Sequence, residues 1–347
     1  MPTEPMRLTQ FSHGAGCGCK IAPAVLEQVL QSELGIFPDP RLLVGYGSKD
    51  DAAVYDIGEG RALISTTDFF SPIVDDAFDF GRIAATNALS DVYAMGGKPL
   101  LAIAILGWPV EKLPPEMAAR VLDGGRTACH QAGIALAGGH SIDAPEPFFG
   151  LAVTGEAPAA HVKRNNTAQA GDALLLTKPI GLGILATAMK RGVLAPSHAG
   201  IGTAVMTRLN TAGTMLGSLP GVHALTDVTG FGLLGHLLEV CEGSGLRARI
   251  EFDYVPVISE ARTYLQQGCY PDGAFRNWKS ISPKVAGANS MDRMLLLSDP
   301  QTSGGLLISA AEESIKEIKD LCAQHSTPAT LIGRVMPAGE GPTVLVD

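Results

Sequence analysis

The chain has 347 residues, 46% of them hydrophobic, which is enough for two domains with buried cores and argues against extensive disorder. Its net charge of -9 disfavours non-specific binding to nucleic acid, and no apolar run reaches the roughly 18 residues that a membrane span needs. Six cysteines, most of them isolated, and an N-terminus without an apolar signal core predict a cytoplasmic protein.

Residues 1–45 are predicted to form a mobile arm with a short amphipathic helix around Pro23–Leu34. The arm contains the glycine-rich stretch "SHGAGCGCKIAP", which places Cys17, Cys19 and Lys20 close together. A phosphate loop is excluded, because no apolar strand precedes the lysine and the pattern G-x-x-x-x-G-K-[ST] is absent. Three interpretations remain open: an inert tail, a metal site, or a reactive thiol.

A metal site and a reactive thiol require different neighbouring residues. His13 could join Cys17 and Cys19 as a soft ligand, but no second cluster of Cys or His completes a closed zinc site. A reactive thiol needs less: glycines allow the backbone to approach a ligand closely, and Lys20 would favour the thiolate of Cys17. Such a thiol suits sulfur or selenium chemistry, or a covalent intermediate.

The stretch from 46 to 157 is predicted to be an α/β domain. Apolar runs predict strands at "RALISTTDFF", "LLAIAILGW", "GIALAGG" and "FGLAVTGEA". Two stretches that end at glycine predict helices, "DFGRIAATNALSDVYAMGG" and "PPEMAARVLDGGRTACHQAG". The polar stretch 158–172 is predicted to link this domain to the next.

A second α/β series is predicted within residues 158–347. Strands are expected at "ALLLTKP", "VHALTDV" and "LRARIEF", with helices across 181–217 and at "GLLGHLLEVCEG". The last part of the chain, "GLLISAAEESIKEIKDLCAQHSTPATLIGRV", is predicted to be strand, helix and strand. Both halves of the chain contain an apolar strand that ends in Thr-Asp, "ISTTD" and "ALTD".

Several carboxylates lie at the predicted ends of strands or on a helix, beside Thr, Ser and Gly. Asn87 lies four residues before Asp91, so the two side chains share one face of the predicted helix. Each aspartate could be only a cap or a turn former, but together they suit Mg²⁺ carrying polyphosphate, and hence phosphoryl transfer. The aspartates concerned are Asp50, Asp51, Asp68, Asp91, Asp227 and Asp299.

Two further motifs allow a second interpretation each. "AGGHSIDAP" predicts a turn whose backbone, with His140 and Ser141, contacts phosphate or ribose, although an ordinary tight turn fits as well. In "TGFGLLGH", Gly230, Gly232 and Gly235 match G-x-G-x-x-G of NAD-dependent dehydrogenases. Asp227 opposes the dehydrogenase hypothesis, because it crowds the turn where a pyrophosphate would approach.

Taken together, the motifs resemble the selenophosphate synthetases, also called selenide, water dikinases, from about Leu8 to Arg334. The motifs are "SHGAGCGCK", "DDAAVYD", "STTDFF", "GRIAATNALSDVYAMGGKP", "LAGGHSIDAPEP", "TDVTGFGLLGH" and "DPQTSGGLL". The resemblance implies the two-domain α/β (α+β) fold of aminoimidazole ribonucleotide synthetase, with mixed sheets covered by helices and a glycine-rich N-terminal arm. It also implies Mg²⁺-dependent conversion of ATP, selenide and water into selenophosphate, phosphate and AMP. Another ATP-dependent kinase or synthetase of that superfamily is the alternative.

The resemblance also implies roles for individual residues. Cys17 and Lys20 match the catalytic thiol and the lysine near the phosphates, and Asp51, Asp91 and Asp227 match magnesium ligands. The implied contacts to ATP are Lys20, Ser48, Lys49, Asp50, Asp68, Asp91, Gly139, His140 and Ser141.

The implied partners are selenide, ATP and a second copy of the chain. In the family the N-terminal sheets of two subunits form a shared barrel, with ATP near the interface. A selenide-delivery protein and enzymes that use selenophosphate are further expected partners, whereas nucleic acid and membrane are not.

Overall fold

The computed structural model describes residues 6–12, 14, 16–19, 25, 28–29, 39–45, 47 and 50–347. The predicted helix at Pro23–Leu34 lies almost wholly outside these residues. The fold is built on two mixed sheets, one of six strands and one of seven, each with helices packed against it. The expectation of an α/β fold with mixed sheets is confirmed.

The first sheet has the order β1-β2-β3-β6-β4-β5. Its neighbouring strands are antiparallel except β4 and β5, which run parallel. The four strands predicted between 46 and 157 are all present. The strands are β1 Leu42–Val44, β2 Ala53–Gly58, β3 Arg61–Phe70, β4 Lys98–Trp108, β5 Ala135–Asp143 and β6 Phe148–Pro158.

Two long helices cover one face of this sheet, α1 (Ala77–Ala94) and α2 (Pro115–Gln131). Helix α1 begins where Asp76 accepts a hydrogen bond from the Asp79 backbone N–H at 2.8 Å. Glycines allow the two helices to touch: a Cβ on Gly81 would lie 1.9 Å from the Val121 carbonyl oxygen. Helix α1 is therefore buried along nearly its whole length.

The other face of the first sheet carries exposed apolar side chains. Phe69, Ile103 and Ile142 come from three different strands and are 49%, 45% and 50% exposed. The strand register puts all three on the face opposite the helices. Contiguous apolar surface of this kind marks an interaction face in many soluble proteins.

The second sheet has the order β10-β13-β9-β12-β7-β11-β8, so that β8 is an edge strand. The predicted strands and helices of this half are found, and the structure adds three helices, α7 to α9, and two short strands, β10 and β13. Its strands are β7 Ala173–Leu176, β8 Val222–Asp227, β9 Arg247–Ile250, β10 Val285–Ala286, β11 Leu306–Ala310, β12 Thr330–Met336 and β13 Val344–Val346. Its helices are α3 Leu182–Lys190, α4 Ala199–Met206, α5 Ala212–Gly217, α6 Gly232–Ser244, α7 Ser259–Gln266, α8 Asp272–Ile281, α9 Met291–Leu297 and α10 Ile315–Gln324.

Helix α1 joins the two halves, because it packs against β3 and β6 on one side and against α4, α5 and β8 on the other. The contact is close: a Cβ on Gly213 of α5 would lie 2.2 Å from the carbonyl oxygen of Tyr93. Ser90 of α1 also accepts a hydrogen bond from the side chain of Asn210 at 2.8 Å. The border between the halves therefore runs along α1, and the limits at 45/46 and 157/158 stay predictions.

Candidate active site

Three of the predicted aspartates meet at this border. Asp51 lies two residues before β2, Asp91 lies on α1, and Asp227 ends β8. The Thr226 hydroxyl donates a hydrogen bond to Asp51 Oδ1 at 3.0 Å, across the border between the two halves. The Thr66 hydroxyl donates to Asp91 Oδ2 at 2.5 Å and lies 3.4 Å from the Asp51 carbonyl oxygen. Threonines from both sheets thus hold the carboxylates in place.

The carboxylates are close enough to repel one another. Burial raises the pKa of Asp51 well above its usual range, and the charges of Asp227, Asp50 and Asp91 raise it further, in that order. Asp51 Oδ2 is buried without a hydrogen-bond partner among the described residues. A buried, unpartnered carboxylate oxygen among like charges fits the hard oxygen donor set that Mg²⁺ prefers.

The side chains are nevertheless not arranged as a finished metal site. Within the described part of the chain, no group of three or more His, Cys, Asp or Glu side chains is close enough to hold a metal ion as it stands. The charges of three other aspartates act on Asp51, so these carboxylates lie near one another. Their oxygens are not thereby shown to surround one point as metal ligands would. The donor chemistry therefore fits Mg²⁺, and the ligand assignments stay predictions.

Asp50 lies next to this cluster but has a different contact. Its carboxylate accepts hydrogen bonds from the backbone N–H of Asp51 at 3.1 Å and of Asn165 at 3.3 Å. Burial raises its pKa to about 6. Asp50 therefore ties the start of β2 to the stretch 158–172. Its predicted neighbours in the nucleotide-contacting turn, Ser48 and Lys49, lie outside the described residues.

Asp68 belongs to a second polar chain beside the cluster. Asn87 donates its side-chain N–H to Asp68 Oδ2 at 2.7 Å and accepts the backbone N–H of Ser303 at 2.6 Å. Asn87 is completely buried on α1, one turn before Asp91, as the helical spacing predicts. The prediction that Asp68 ends its strand is wrong, because β3 continues through Phe70.

The loop from Asp299 to Gly305 connects this polar chain to the second half of the molecule. Ser303 adopts a left-handed backbone conformation, with φ of 49°. A Cβ on Gly304 would lie 1.9 Å from the Val228 carbonyl oxygen, so only glycine fits there. Asp299 accepts the backbone N–H of Gly183 at 2.9 Å, and burial raises its pKa to about 7. Asp299 therefore anchors the start of α3.

Sequence reasoning did not single out Lys178, which is buried close to the carboxylates. Its Nζ donates hydrogen bonds to the carbonyl oxygens of Arg208 at 2.6 Å and Ser303 at 2.8 Å. Burial lowers its pKa to about 7, and the charge of Asp227 partly opposes that change. The only sequence signal was a lysine almost directly after the apolar run of β7.

The segment with Gly139, His140 and Ser141 is not the predicted turn. It lies within the edge strand β5, where these residues pair with Ala104, Ile105 and Leu106 of β4. Asp68 is three strand spacings away, about 14 Å across the sheet. The register also puts His140 on the face with Ile103, opposite the helices. Within one chain, the structure does not bring this segment to the carboxylates.

The arm reaches the same border from another direction. Cys17 and Cys19 lie in a short 3₁₀ helix, Gly16–Cys19, whose first residue donates its backbone N–H to the Ser71 carbonyl at 3.1 Å. Ser71 directly follows β3, the strand that carries Asp68. The side chains of both cysteines, and the whole of His13 and Lys20, lie outside the described residues.

The glycine-rich stretch "TGFGLLGH", which matched a dinucleotide motif, is covered by the loop around Ser298 and Gln301 of the same chain. A Cβ on Gly232 would lie 2.7 Å from the Ser298 carbonyl carbon, and the Gln301 backbone N–H donates to the Thr229 carbonyl at 2.9 Å. Among the described strands, the preceding strand β8 pairs with β11 alone, and antiparallel to it. A dinucleotide fold has parallel strands and an open helix N-terminus at this place, so the structure gives the dehydrogenase hypothesis no support.

Two family models match most of the chain. Residues 49–157 match the N-terminal domain of AIR synthase related proteins, and residues 169–345 match their C-terminal domain. No helix among the described residues is long and apolar enough to cross a membrane.

Curated relatives are similar to the chain over nearly its full length. A selenide, water dikinase of Escherichia coli O139:H28 is 57% identical over 341 residues, which cover 98% of each chain. A selenide, water dikinase of Aeromonas hydrophila is 58% identical over 330 residues, which cover 95% of each.

Solved structures with this fold are more distant in sequence. Thiamine-monophosphate kinase from Stenotrophomonas maltophilia is 22% identical, with a TM-score of 0.65 over 95% of this chain and 96% of that one. The hydrogenase maturation protein HypE in complex with ATP is 21% identical, with a TM-score of 0.64 over 98% of this chain and 93% of that one. These likenesses show the fold.

Proposed function

We infer that this chain, which belongs to the selenide, water dikinase family, converts ATP, selenide and water into selenophosphate, phosphate and AMP. One structural observation carries the inference furthest. The buried carboxylates Asp51, Asp91 and Asp227 meet at the border of the two halves, and the strand that holds Asp68 leads directly to the docking point of the Cys17 arm. We propose that groups for phosphate chemistry and for selenium chemistry act side by side at this border.

The carboxylates are proposed to bind Mg²⁺, with Asp51, Asp91 and Asp227 as ligands. The support is the burial of Asp51 among like charges and its unpartnered oxygen. When bound, Mg²⁺ would neutralise charge on the phosphates of ATP. Thr226 and Thr66 would orient Asp51 and Asp91 before the nucleotide arrives, and Asp68 would contact the nucleotide, held by Asn87.

Two residues of the arm are proposed to act on selenium and on the transferring phosphoryl group. Cys17 would handle selenium, because a soft thiol suits a soft nucleophile, and Lys20 would stabilise negative charge on the transferring phosphoryl group. When the arm lies over the nucleotide, it would exclude water from the first transfer. Ser48, Lys49 and Asp50 are proposed as further contacts to ATP.

A homodimer is proposed to complete the nucleotide site. The apolar face with Phe69, Ile103 and Ile142 supports it, since pairing that face would bury exposed apolar surface. Gly139, His140 and Ser141 lie on the edge strand of that same sheet and far from Asp68 of their own chain. We propose that they reach ATP across the dimer interface.

The cellular setting is proposed from the composition and the chemistry. Isolated cysteines suit a reducing cytoplasm, which also keeps selenide reduced. A protein that delivers selenide and enzymes that consume selenophosphate are the partners that such a reaction requires.

Phosphorus NMR tests the proposed activity directly. Purified protein with ATP, Mg²⁺ and selenide under anaerobic conditions should give selenophosphate, phosphate and AMP in equal amounts. ATP consumption without a phosphorus–selenium product would overturn the proposed acceptor. The absence of any ATP consumption would overturn the proposed function as a whole.

A further inference from the structure

The main chain around Cys17 crosses a cavity on the side of the second half of the molecule. The cavity has a volume of about 620 Å³ and is lined by Gly14 and Gly18 of the arm and by residues of α3 and α8. Glycines have no side chains with which to fill such a space. On this side, hydrogen bonds to the main chain of the arm contribute to its position.

Lys190 makes the first of these attachments. It is the last residue of α3, and its Nζ donates hydrogen bonds to the Ser12 carbonyl at 2.9 Å and to the Gly14 carbonyl at 3.0 Å. Hydrogen bonds from a charged donor are stronger than those between neutral groups. Lys190 therefore holds the arm on the N-terminal side of Cys17.

Arg276 makes the second attachment, from the other wall of the cavity. It lies on α8, and its Nη2 donates to the Gly18 carbonyl at 2.9 Å. Gly18 directly follows Cys17, so the two cations hold the main chain on both sides of that residue. The Gly16 N–H to Ser71 is a third hold, from the first half of the molecule.

The helix with Lys190 is itself fixed by the loop that borders the carboxylates. Asp299 accepts the Gly183 backbone N–H at 2.9 Å, and Gln301 Oε1 accepts that of Leu182 at 3.1 Å. Thr302 of the same loop also adjoins Gly16, where an added Cβ would lie 2.5 Å from its hydroxyl oxygen. The loop from Asp299 to Gly305 thus contacts both the arm and the helix that holds the arm, and it also borders the carboxylate cluster.

We propose that Lys190 and Arg276 are positioning residues for the reaction, which hold Cys17 in register with the carboxylate cluster by binding the main-chain carbonyls around it. This rests on the proposed function, in which Cys17 handles selenium. The hydrogen bonds that both cations donate here go to the main chain of the arm. Their loss therefore lowers the rate of selenophosphate formation more than it lowers ATP affinity, since a displacement of about 1 Å at a reacting group costs up to about a hundredfold in rate.

The chain provides a matched control in Arg191. This residue lines the same cavity and carries the same charge, but its Nη1 donates to the Gly268 carbonyl at 2.8 Å, which is not part of the arm. Lys190→Met and Arg276→Met remove the charge and keep most of the apolar stem, and Arg191→Met does the same at the control position. Lys190→Arg keeps a cation at the first attachment.

The kinetic test measures kcat for selenophosphate and ATP affinity by calorimetry in each variant. We expect kcat to fall about tenfold in Lys190→Met and a few-fold in Arg276→Met, because Arg276 makes one exposed bond where Lys190 makes two. Lys190→Arg should recover most of the rate, and Arg191→Met should stay within about twofold of the parent. A parental kcat in Lys190→Met, or an equal loss in Arg191→Met, would overturn the proposal.

A second measurement needs no substrate and so separates this proposal from the proposed function. Cys129, Cys241, Cys269 and Cys322 are buried, so in a Cys19→Ser background iodoacetamide labelling reports on Cys17. Labelling should be several-fold faster in Lys190→Met than in Arg191→Met, with circular dichroism unchanged in both. Equal labelling rates would contradict the proposed hold on the arm, whether or not selenophosphate is formed.

Discussion

The carboxylate cluster and the Cys17 arm are positioned in opposite ways. Asp51 and Asp91 are held by threonines of two sheets, and Asp51 is buried among like charges at a cost to stability. The arm is held by a small number of hydrogen bonds to its main chain. Substitutions in the cluster should therefore change stability and activity together, whereas substitutions at the arm should change activity alone.

The largest effect is expected in the cluster. Asp91→Asn and Asp227→Asn should each reduce Mg²⁺-dependent ATP turnover by at least about a hundredfold, because an amide replaces a charged ligand for the metal that carries the phosphates. Circular dichroism should show that both variants stay folded. ATP consumption is the measurement, and unimpaired turnover in both variants would refute the metal assignment.

Substitution by alanine should have different effects at two glycines of the arm. Gly16 has φ of +53°, and its added Cβ would lie 2.5 Å from both Ile73 Cδ1 and the Thr302 hydroxyl. Gly18 has room, with Pro300 at 3.9 Å. Gly16→Ala should lower selenophosphate formation at least about tenfold at nearly unchanged melting temperature. Gly18→Ala, the control, should lose much less, and equal losses would contradict the observed docking of the arm.

Asp51→Asn should stabilise the metal-free protein. A carboxyl whose folded-state pKa is raised costs stability above its unfolded pKa of about 4, so its removal should raise the free energy of unfolding at neutral pH. The gain should shrink as pH falls toward 4, where the unfolded carboxyl is protonated too. Mg²⁺ should raise the melting temperature of the parent and not of the variant. A variant less stable than the parent at pH 7, without Mg²⁺, would contradict this account.

The smallest effect is expected at Cys19. Cys19→Ser should keep most of the activity, because only the first thiol of the arm is proposed to act on selenium. The rate of selenophosphate formation at saturating ATP measures it. An inactive variant would favour a two-thiol mechanism or a metal site in the arm.

The sequence predicted the parts of the site that depend on local pattern. Strand β3, helix α1 and the pairing of Asn87 with Asp91 on one face follow from hydrophobic periodicity. Lys178 was missed because its role comes from long-range burial against Ser303, which no local pattern reports. The turn at Gly139 was wrong because two glycines suggested a break, whereas the β4 ladder continues the strand through them.

Cys17→Ser, compared with Lys20→Ala, tests most directly the claim that phosphate and selenium chemistry are handled by separate groups. Nucleotide affinity by calorimetry and products by phosphorus NMR would be measured in both variants. We predict that Cys17→Ser binds ATP normally and forms no selenophosphate, while Lys20→Ala loses both selenophosphate formation and slow ATP hydrolysis without selenide. Selenophosphate formation at the parental rate in Cys17→Ser, or parental ATP hydrolysis in Lys20→Ala, would contradict that division.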